Sequence, residues 1–446
     1  MKKYVEKTLE RKRKLFKIKK RLFSLFLIVA IICSITACGS FNTSEGDDIQ
    51  KNDGPVEIGV YHMYDLDTYM RPIWKDRVVH NETVMFVGKD DKAQLLYEAD
   101  EIISLRSYDL KTEYQKGTDY DYVDGQLVLL PGSSIPCISE EEYYTNDNTY
   151  SMLQTKGNEG TGTSYTYWGE GDTMTKWQVA VTYQHSQFWK GYEPETFADR
   201  YEDLAQKLQN GEDVVFVFYG DSITFGANAS FMIGAEPYMP TWSQLFTQYI
   251  AKQYGYTVKY VRDEFTEASV PAEDTVFGTN GTITYYNPSV GGWTVEQGYQ
   301  NAEERVNAFV SQYGCDLFTV AFGMNNPSLA SSKFVQYTEG IIKRVQEHAP
   351  EMNVALVSTM VPNPDATNGW YGNQELFEAE LYTLADELYE KGMGCAVVPM
   401  TSMSKAVLET KRFRDVTGNN INHPNDFMGR VYAQVMVETV FGYESF

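Results

Sequence analysis

From residue 197 onward strand-like runs alternate with amphipathic helical stretches, and no other feature of the sequence restricts the fold as tightly. FADRYEDLAQKLQN (197–210) carries apolar residues at helical spacing, and VVFVFY (214–219) follows as a run of β-branched and aromatic residues. A helix near TWSQLFTQYIAKQYG comes next, then the runs YTVKYV and TITYYN and a helix over VEQGYQNAEERVNAFVSQYG. DLFTVAFG, NVALVSTM and CAVVPM read as strands, separated by the helices KFVQYTEGIIKRVQEHA and ELFEAELYTLADELYEKG, and a last helix starts at Pro424. Units in this order predict an α/β domain over 195–446, a mainly parallel sheet with helices on both faces. Ligands of such sheets bind beyond the carboxyl ends of the strands, so the residues just after each strand are the ones to read.

The half before it has another character. ETVMFVG, EIISLRSYDL, DYDYVDGQLVLLP and WQVAVTYQH show partial period-two alternation, and no strong helical period appears before Glu195. Asp124-Gly125 between two such runs predicts a type I′ hairpin. Residues 56–192 therefore read as a smaller all-β sandwich, jelly-roll or Ig-like, with the Gly/Thr-rich stretch NEGTGTSYTYWGEGD (158–172) as a long loop.

The extreme N-terminus is different again. Residues 1–37 hold eleven Lys/Arg and two Glu, and within them LFSLFLIVAIICSI (22–35) is an apolar run short of the roughly 20 residues a spanning helix needs. A basic head, a short apolar core and small residues before a cut describe a secretory signal peptide. The ending Ile-Thr-Ala-Cys resembles the lipobox of bacterial lipoproteins, which implies lipidation of Cys38 and anchoring to the outer face of the cytoplasmic membrane. The alternative is a plain signal-anchor helix. SFNTSEGDDIQKNDGP then reads as a polar tether, so that 38–55 is flexible linker. The formal charge of −23 hides this basic head: the rest of the chain has 27 basic against 59 acidic residues. So acidic a body repels phosphate backbones and argues against nucleic acid as a partner. Of the five cysteines, Cys137, Cys315 and Cys395 lie beyond the leader, without a CxxC pair, and Cys315 and Cys395 read as small buried hydrophobes. No metal site and no cofactor is expected.

Four strand ends carry chemistry. Gly220-Asp221-Ser222 follows VVFVFY, and Asn287-Pro288-Ser289-Val290-Gly291-Gly292-Trp293-Thr294 follows TITYY. Gly323-Met324-Asn325-Asn326 follows DLFTVAF, and Asn420-Ile421-Asn422-His423-Pro424 precedes the last helix. In order and position these stretches resemble the four signature blocks of the SGNH (GDSL-type) hydrolases, over roughly residues 210–446. The resemblance implies a flavodoxin-like SGNH fold and a serine ester hydrolase without cofactor. It casts Ser222 as nucleophile and His423 as base. The backbone N–H groups of Ser222 and Gly292 and the side-chain amide of Asn325 would form the oxyanion hole. A serine hydroxyl needs a neighbouring base to become a nucleophile, and imidazole titrates near working pH. An oxyanion needs preorganised neutral donors, which backbone N–H groups and an Asn amide supply. Taken singly, Ser222 also reads as a helix cap and Gly291-Gly292 as a tight turn.

One position departs from the family. Asn420 stands three residues before His423, where the family has Asp, so either Asn420 or a backbone carbonyl orients the ring of a Ser–His dyad, or another acid serves. Asp426 and Asp415 are near enough in sequence to be considered. For substrate, the resemblance to two-domain carbohydrate esterases and the placement outside the cell favour an O-acetylated polysaccharide, with Trp293, Trp370 and Tyr371 offering aromatic faces to sugar rings. A lipid or acyl-thioester hydrolase, and a surface glycan-binding lipoprotein without turnover, are the alternatives.

Overall fold

The computed structural model describes residues 65–145, 165–366 and 370–446. The signal sequence, Cys38, the tether and the first part of the 158–172 loop lie outside the described residues. Residues Pro55–Phe446 make one unit.

Five strands form the N-terminal sheet: β1 (Val78–Val87), β2 (Glu101–Ser107), β3 (Glu113–Tyr114), β4 (Cys137–Ile138) and β5 (Gln178–Gln184), in the order β3-β2-β5-β1-β4. Lys92–Gln94, Tyr120–Val123 and Gln126–Leu129 add a small three-stranded sheet. Its hairpin turns on Asp124 (φ 50°) and Gly125 (φ 77°), the two left-handed residues that a type I′ turn requires. A β-rich part thus precedes the α/β part, as the sequence pattern predicts.

Seven strands form the second sheet: β6 (Val214–Gly220), β7 (Thr257–Tyr260), β8 (Thr275–Val276), β9 (Thr282–Tyr286), β10 (Leu317–Ala321), β11 (Asn353–Val357) and β12 (Cys395–Val398). Their order is β8-β7-β9-β6-β10-β11-β12, and every pairing is parallel except that of β7 with the edge strand β8. Side chains along a strand alternate between faces, and here both faces are dry. Phe216, Phe218, Leu317, Ala321 and Ala355 enter one apolar cluster, with Leu245 and Phe246 of helix α1 (Trp242–Tyr254). Val217, Tyr219, Phe318, Val320 and Leu356 enter the other, with Ile341 and Ile342 of α2 (Ser331–Gln346) and Leu381 and Leu384 of α3 (Phe377–Glu390). Helix α4 (Asp426–Val440) is buried along its whole length, and Val431 and Val435 join the first cluster.

That first cluster also contains Val84 and Phe86 of β1, Leu105 of β2 and Val179, Val181 and Tyr183 of β5. Apolar burial is therefore continuous from the N-terminal sheet to the α/β sheet. Polar groups tie the two at the segment leading into α4. Asp415 accepts from the Met85 N–H at 2.9 Å, and Gln178 Nε2 donates to the carbonyls of Arg414 (2.7 Å) and Thr417 (2.8 Å). Asn425 Nδ2 reaches Thr83 Oγ1 at 2.9 Å and Gln178 Oε1 at 3.0 Å. Beneath them Lys411 and Glu82 form an ion pair in which both side chains are 0% exposed. Tyr183 and the Leu96 N–H donate to Glu82, and the Gln94 carbonyl accepts from Lys411, so neither buried charge is left without further partners.

Candidate active site

Strand β6 ends at Gly220, and Asp221 caps the short helix that begins at Ser222 by accepting from the Ile223 N–H at 3.0 Å. After one turn that helix stops at Gly226 (φ 97°), where a Cβ would lie 2.1 Å from the Thr241 methyl. Only glycine fits such a left-handed, closely covered position. The turn thus serves to set Ser222 at the first helical position, where its N–H has no carbonyl within the helix to bond. Burial pushes the Asp221 carboxyl up to about 6, against the opposing pull of the Ile223 N–H and the charge of His423. Asp221 braces the turn.

His423 arrives from the other end of the chain. Its Nε2 lies 2.8 Å from Ser222 Oγ, a hydrogen bond across 201 positions of sequence. Ser222 is 7% exposed and His423 9%, so the pair is largely buried rather than on open surface. The His423 N–H is itself held by Asn419 Oδ1 at 3.1 Å, which also accepts from the Ile421 and Asn422 N–H groups at 3.0 Å. One amide oxygen therefore folds the loop that carries the ring.

The loop 290–293 approaches the serine from β9. The Val290 N–H donates to the Gly220 carbonyl at 3.1 Å, and a Cβ on Gly291 would sit 3.8 Å from Ser222 Cβ. Gly292 has φ 77°, and a Cβ there would meet nothing within 4 Å. Its left-handed backbone, not crowding, is what calls for glycine. Asn325 follows β10 and donates through Nδ2 to the Trp293 carbonyl at 3.0 Å. Asn326 Oδ1 accepts from the Val295 N–H at 3.0 Å, and its Nδ2 donates to Glu296 at 2.7 Å. These bonds pin the Gly292 and Asn325 loops together.

Asn420 does not do what its sequence position suggested. At φ 64° its backbone is left-handed, and its Nδ2 points away from the ring to Tyr143 Oη and the Tyr167 carbonyl, both at 2.9 Å. The two alternatives are equally engaged elsewhere: Asp426 accepts from the Ser230 N–H at 2.8 Å, and Asp415 from Met85 and Arg412. Two residues overlooked in the sequence stand at His423 instead. Asn228 Oδ1 lies 2.8 Å and Glu170 Oε2 3.0 Å from Nδ1. Glu170 Oε1 accepts from Asn419 Nδ2 at 3.0 Å. Burial works to raise the Glu170 carboxyl, but the bond and charge of His423, with the Asn419 amide, outweigh it and hold the carboxyl below its ordinary value. The only sequence signal for Glu170 was an acid between two glycines in a loop.

Trp293 is partly buried, and the Arg305 guanidinium stacks 5.2 Å from its ring centre. Trp370 (37% exposed) and Tyr371 (43%) stand out from the loop before α3. Buried Gln374 donates to the carbonyls of Met324 (3.1 Å) and Trp370 (2.7 Å), which links this aromatic loop to the Asn325 loop. Among the described residues no group of His, Cys, Asp and Glu is arranged to hold a metal ion.

A serine paired with an imidazole at the strand ends of a parallel α/β sheet, beside a loop of left-handed glycine and Asn, defines a serine-type carboxylic ester hydrolase domain. Residues 216–426, just under half of the chain, match the family described as GDSL-like Lipase/Acylhydrolase. No curated protein matches the chain. Among solved structures, a two-domain esterase active on acetylated mannans, co-crystallised with mannopentaose, is 19% identical over 55% of this chain and 53% of its own, with a TM-score of 0.39. The lipase/acylhydrolase from Enterococcus faecalis is 18% identical over 50% of this chain and 94% of its own (TM-score 0.33). A mutant acetyl-xylooligosaccharide esterase from Geobacillus Stearmophilus is 13% identical over 51% of this chain and 94% of its own (TM-score 0.36). The chain thus spans about half the length of the two-domain esterase it resembles.

Proposed function

We propose that the protein removes O-acetyl groups from a polysaccharide outside the cell, through an acyl-enzyme on Ser222. The observation that carries this reading is the 2.8 Å bond between Ser222 Oγ and His423 Nε2. In the first half-reaction His423 takes the hydroxyl proton while Oγ attacks the ester carbonyl, and the resulting oxyanion accepts from the N–H groups of Ser222 and Gly292 and from Asn325 Nδ2. Collapse expels the sugar hydroxyl, which takes the proton from His423. Water then repeats the sequence on the acyl-enzyme and releases acetate.

A glycan as leaving alcohol is supported by the exposed aromatic loop beside the Asn325 loop. Trp370 and Tyr371 are exposed aromatic rings, and Gln374 holds their loop against the loop that carries Asn325. Rings so placed offer flat apolar faces to the C–H face of a sugar, with few rotatable bonds to immobilise. Anchoring through Cys38 at the cell surface completes the proposal, on the strength of the basic head, the short apolar run and the Ile-Thr-Ala-Cys ending. Acetate release from acetylated xylan and mannan, measured beside p-nitrophenyl esters of rising chain length, tests the substrate class. Turnover of long-chain esters with no acetate from any glycan contradicts it.

A further inference from the structure

The bond from His423 Nε2 to Ser222 is useful only if Nε2 is bare, which requires the ring's single hydrogen to sit on Nδ1. Asn228 settles this. Its Nδ2 donates to the carbonyls of Gly171 (3.1 Å) and Gly418 (3.2 Å), two groups that can only accept. The amide is therefore turned with Oδ1 toward the ring at 2.8 Å, and an amide oxygen can only accept as well. Nδ1 must then donate. Asn228 sits at φ 64°, a left-handed conformation that Asn tolerates better than most residues. Asn228 fixes the tautomer but brings no charge.

Charge comes from the other partner of Nδ1. Glu170 lies on the loop between the N-terminal strands, 253 positions from His423, and shares the Nδ1 hydrogen at 3.0 Å. Its side chain is about half exposed (53%), so water screens its field more than it would a buried acid's. The Asn419 amide keeps its second oxygen in place at 3.0 Å.

We infer that Glu170 and Asn228 divide the work of the acid missing at position 420: Asn228 holds the imidazole in the productive tautomer, and Glu170, delivered by the N-terminal β-rich half, stabilises the imidazolium formed when Ser222 attacks. Both are positioning residues acting through His423. The N-terminal half is then a working part of the active site. The inference rests on the Ser222–His423 reading above and specifies what completes it.

The test compares kcat/KM for p-nitrophenyl acetate across pH 4–9 in the wild type, Glu170→Gln, Glu170→Ala and Asn228→Gly, with Ser222→Ala alongside. Two acids act electrostatically on the ring, Glu170 and the buried Asp221, and Asp221 is common to every variant. A carboxylate beside Nδ1 favours the protonated imidazole, so its removal must carry the acid limb of the profile to lower pH. Glutamine keeps the oxygen that Asn419 holds, so Glu170→Gln isolates charge from scaffold. Its plateau should fall about tenfold to a hundredfold, less than the ~10⁴ lost on neutralising a buried triad acid, because the position is screened. Formate should restore part of the rate in Glu170→Ala, since the emptied position opens to solvent. Asn228→Gly keeps the left-handed backbone and should lose rate without displacing the acid limb. A Glu170→Gln profile that overlays the wild type, in plateau and limb, overturns the inference. Hydrolysis that survives in Ser222→Ala instead overturns the catalytic reading itself.

Discussion

The two sides of the Ser222–His423 pair reach the site in different ways. Ser222, Gly292 and Asn325 each stand within a few residues of the end of a parallel strand, and a buried sheet aims them at one edge. His423 sits in a loop that does not directly follow a strand of the parallel sheet. Its position depends on Asn419 within the loop, on Asn228 after the nucleophile turn, and on β1, β5 and Glu170 from the N-terminal half. The nucleophile side is placed by local geometry, whereas the base side is placed by contacts spanning about two hundred positions. Short motifs mark the positions on the first side and miss the partners of the second.

The largest effect expected is on the nucleophile side. Ser222→Ala should cost a factor of about 10⁴ or more in kcat with the fold intact, measured by ester hydrolysis together with the melting temperature. Retained turnover would break the comparison at its root. Next in size is a break on the base side, far from the reacting atoms. Lys411→Met leaves Glu82 buried and unpaired beneath the 411–425 segment, and should destabilise the protein by about 3–5 kcal/mol, with part recovered in Lys411→Met/Glu82→Gln. Denaturant unfolding reads this directly. A change below about 1 kcal/mol would mean that the N-terminal sheet does not secure the His423 loop through this pair.

Asn325→Ala should lower kcat by about 10²–10³, with little change in KM, because an oxyanion donor acts mainly in the transition state. A loss expressed in KM alone would remove Asn325 from that role. Trp370→Ala should raise KM for acetylated glycan severalfold, about 1 kcal/mol, and leave small aryl acetates unaffected. Equal loss on both substrates would make Trp370 a packing residue.

The smallest effect is on pH dependence. Burial raises the Asp426 carboxyl to about 6, above the 3.8 of an unperturbed Asp. Between about pH 4 and pH 6 the folded chain keeps a proton that the unfolded chain has shed, so stability falls as pH rises through that window. Asp221 and Asp415 contribute with the same sign. Asp426→Asn removes one of the three, and should flatten the decline in stability between pH 4 and pH 7, read by denaturant unfolding. An unchanged slope contradicts the assignment to Asp426.

What could be read from the chain alone follows the same division. The β/α alternation, the 124–125 hairpin and the strand-end residues were legible because each depends on periodicity or on its immediate neighbours. Asn420 misled because the expected spacing of three residues presumes a backbone that turns the side chain toward the ring, whereas its left-handed conformation sends the amide to Tyr143 and Tyr167. Glu170 and Asn228 were invisible for a related reason. Their role is defined by where loops meet, and neither lies in a motif or a periodic stretch that spacing could flag. The continuous apolar cluster shared by the two sheets was equally hidden, since alternation within a strand does not say which element covers it.

Activation of the Ser222 hydroxyl by the His423 imidazole is tested most directly by active-site labelling. Treatment with a fluorophosphonate, followed by peptide mass spectrometry, should place a single adduct on Ser222 in the wild type and none in His423→Ala. An adduct elsewhere, or His423→Ala labelling at the wild-type rate, would contradict it.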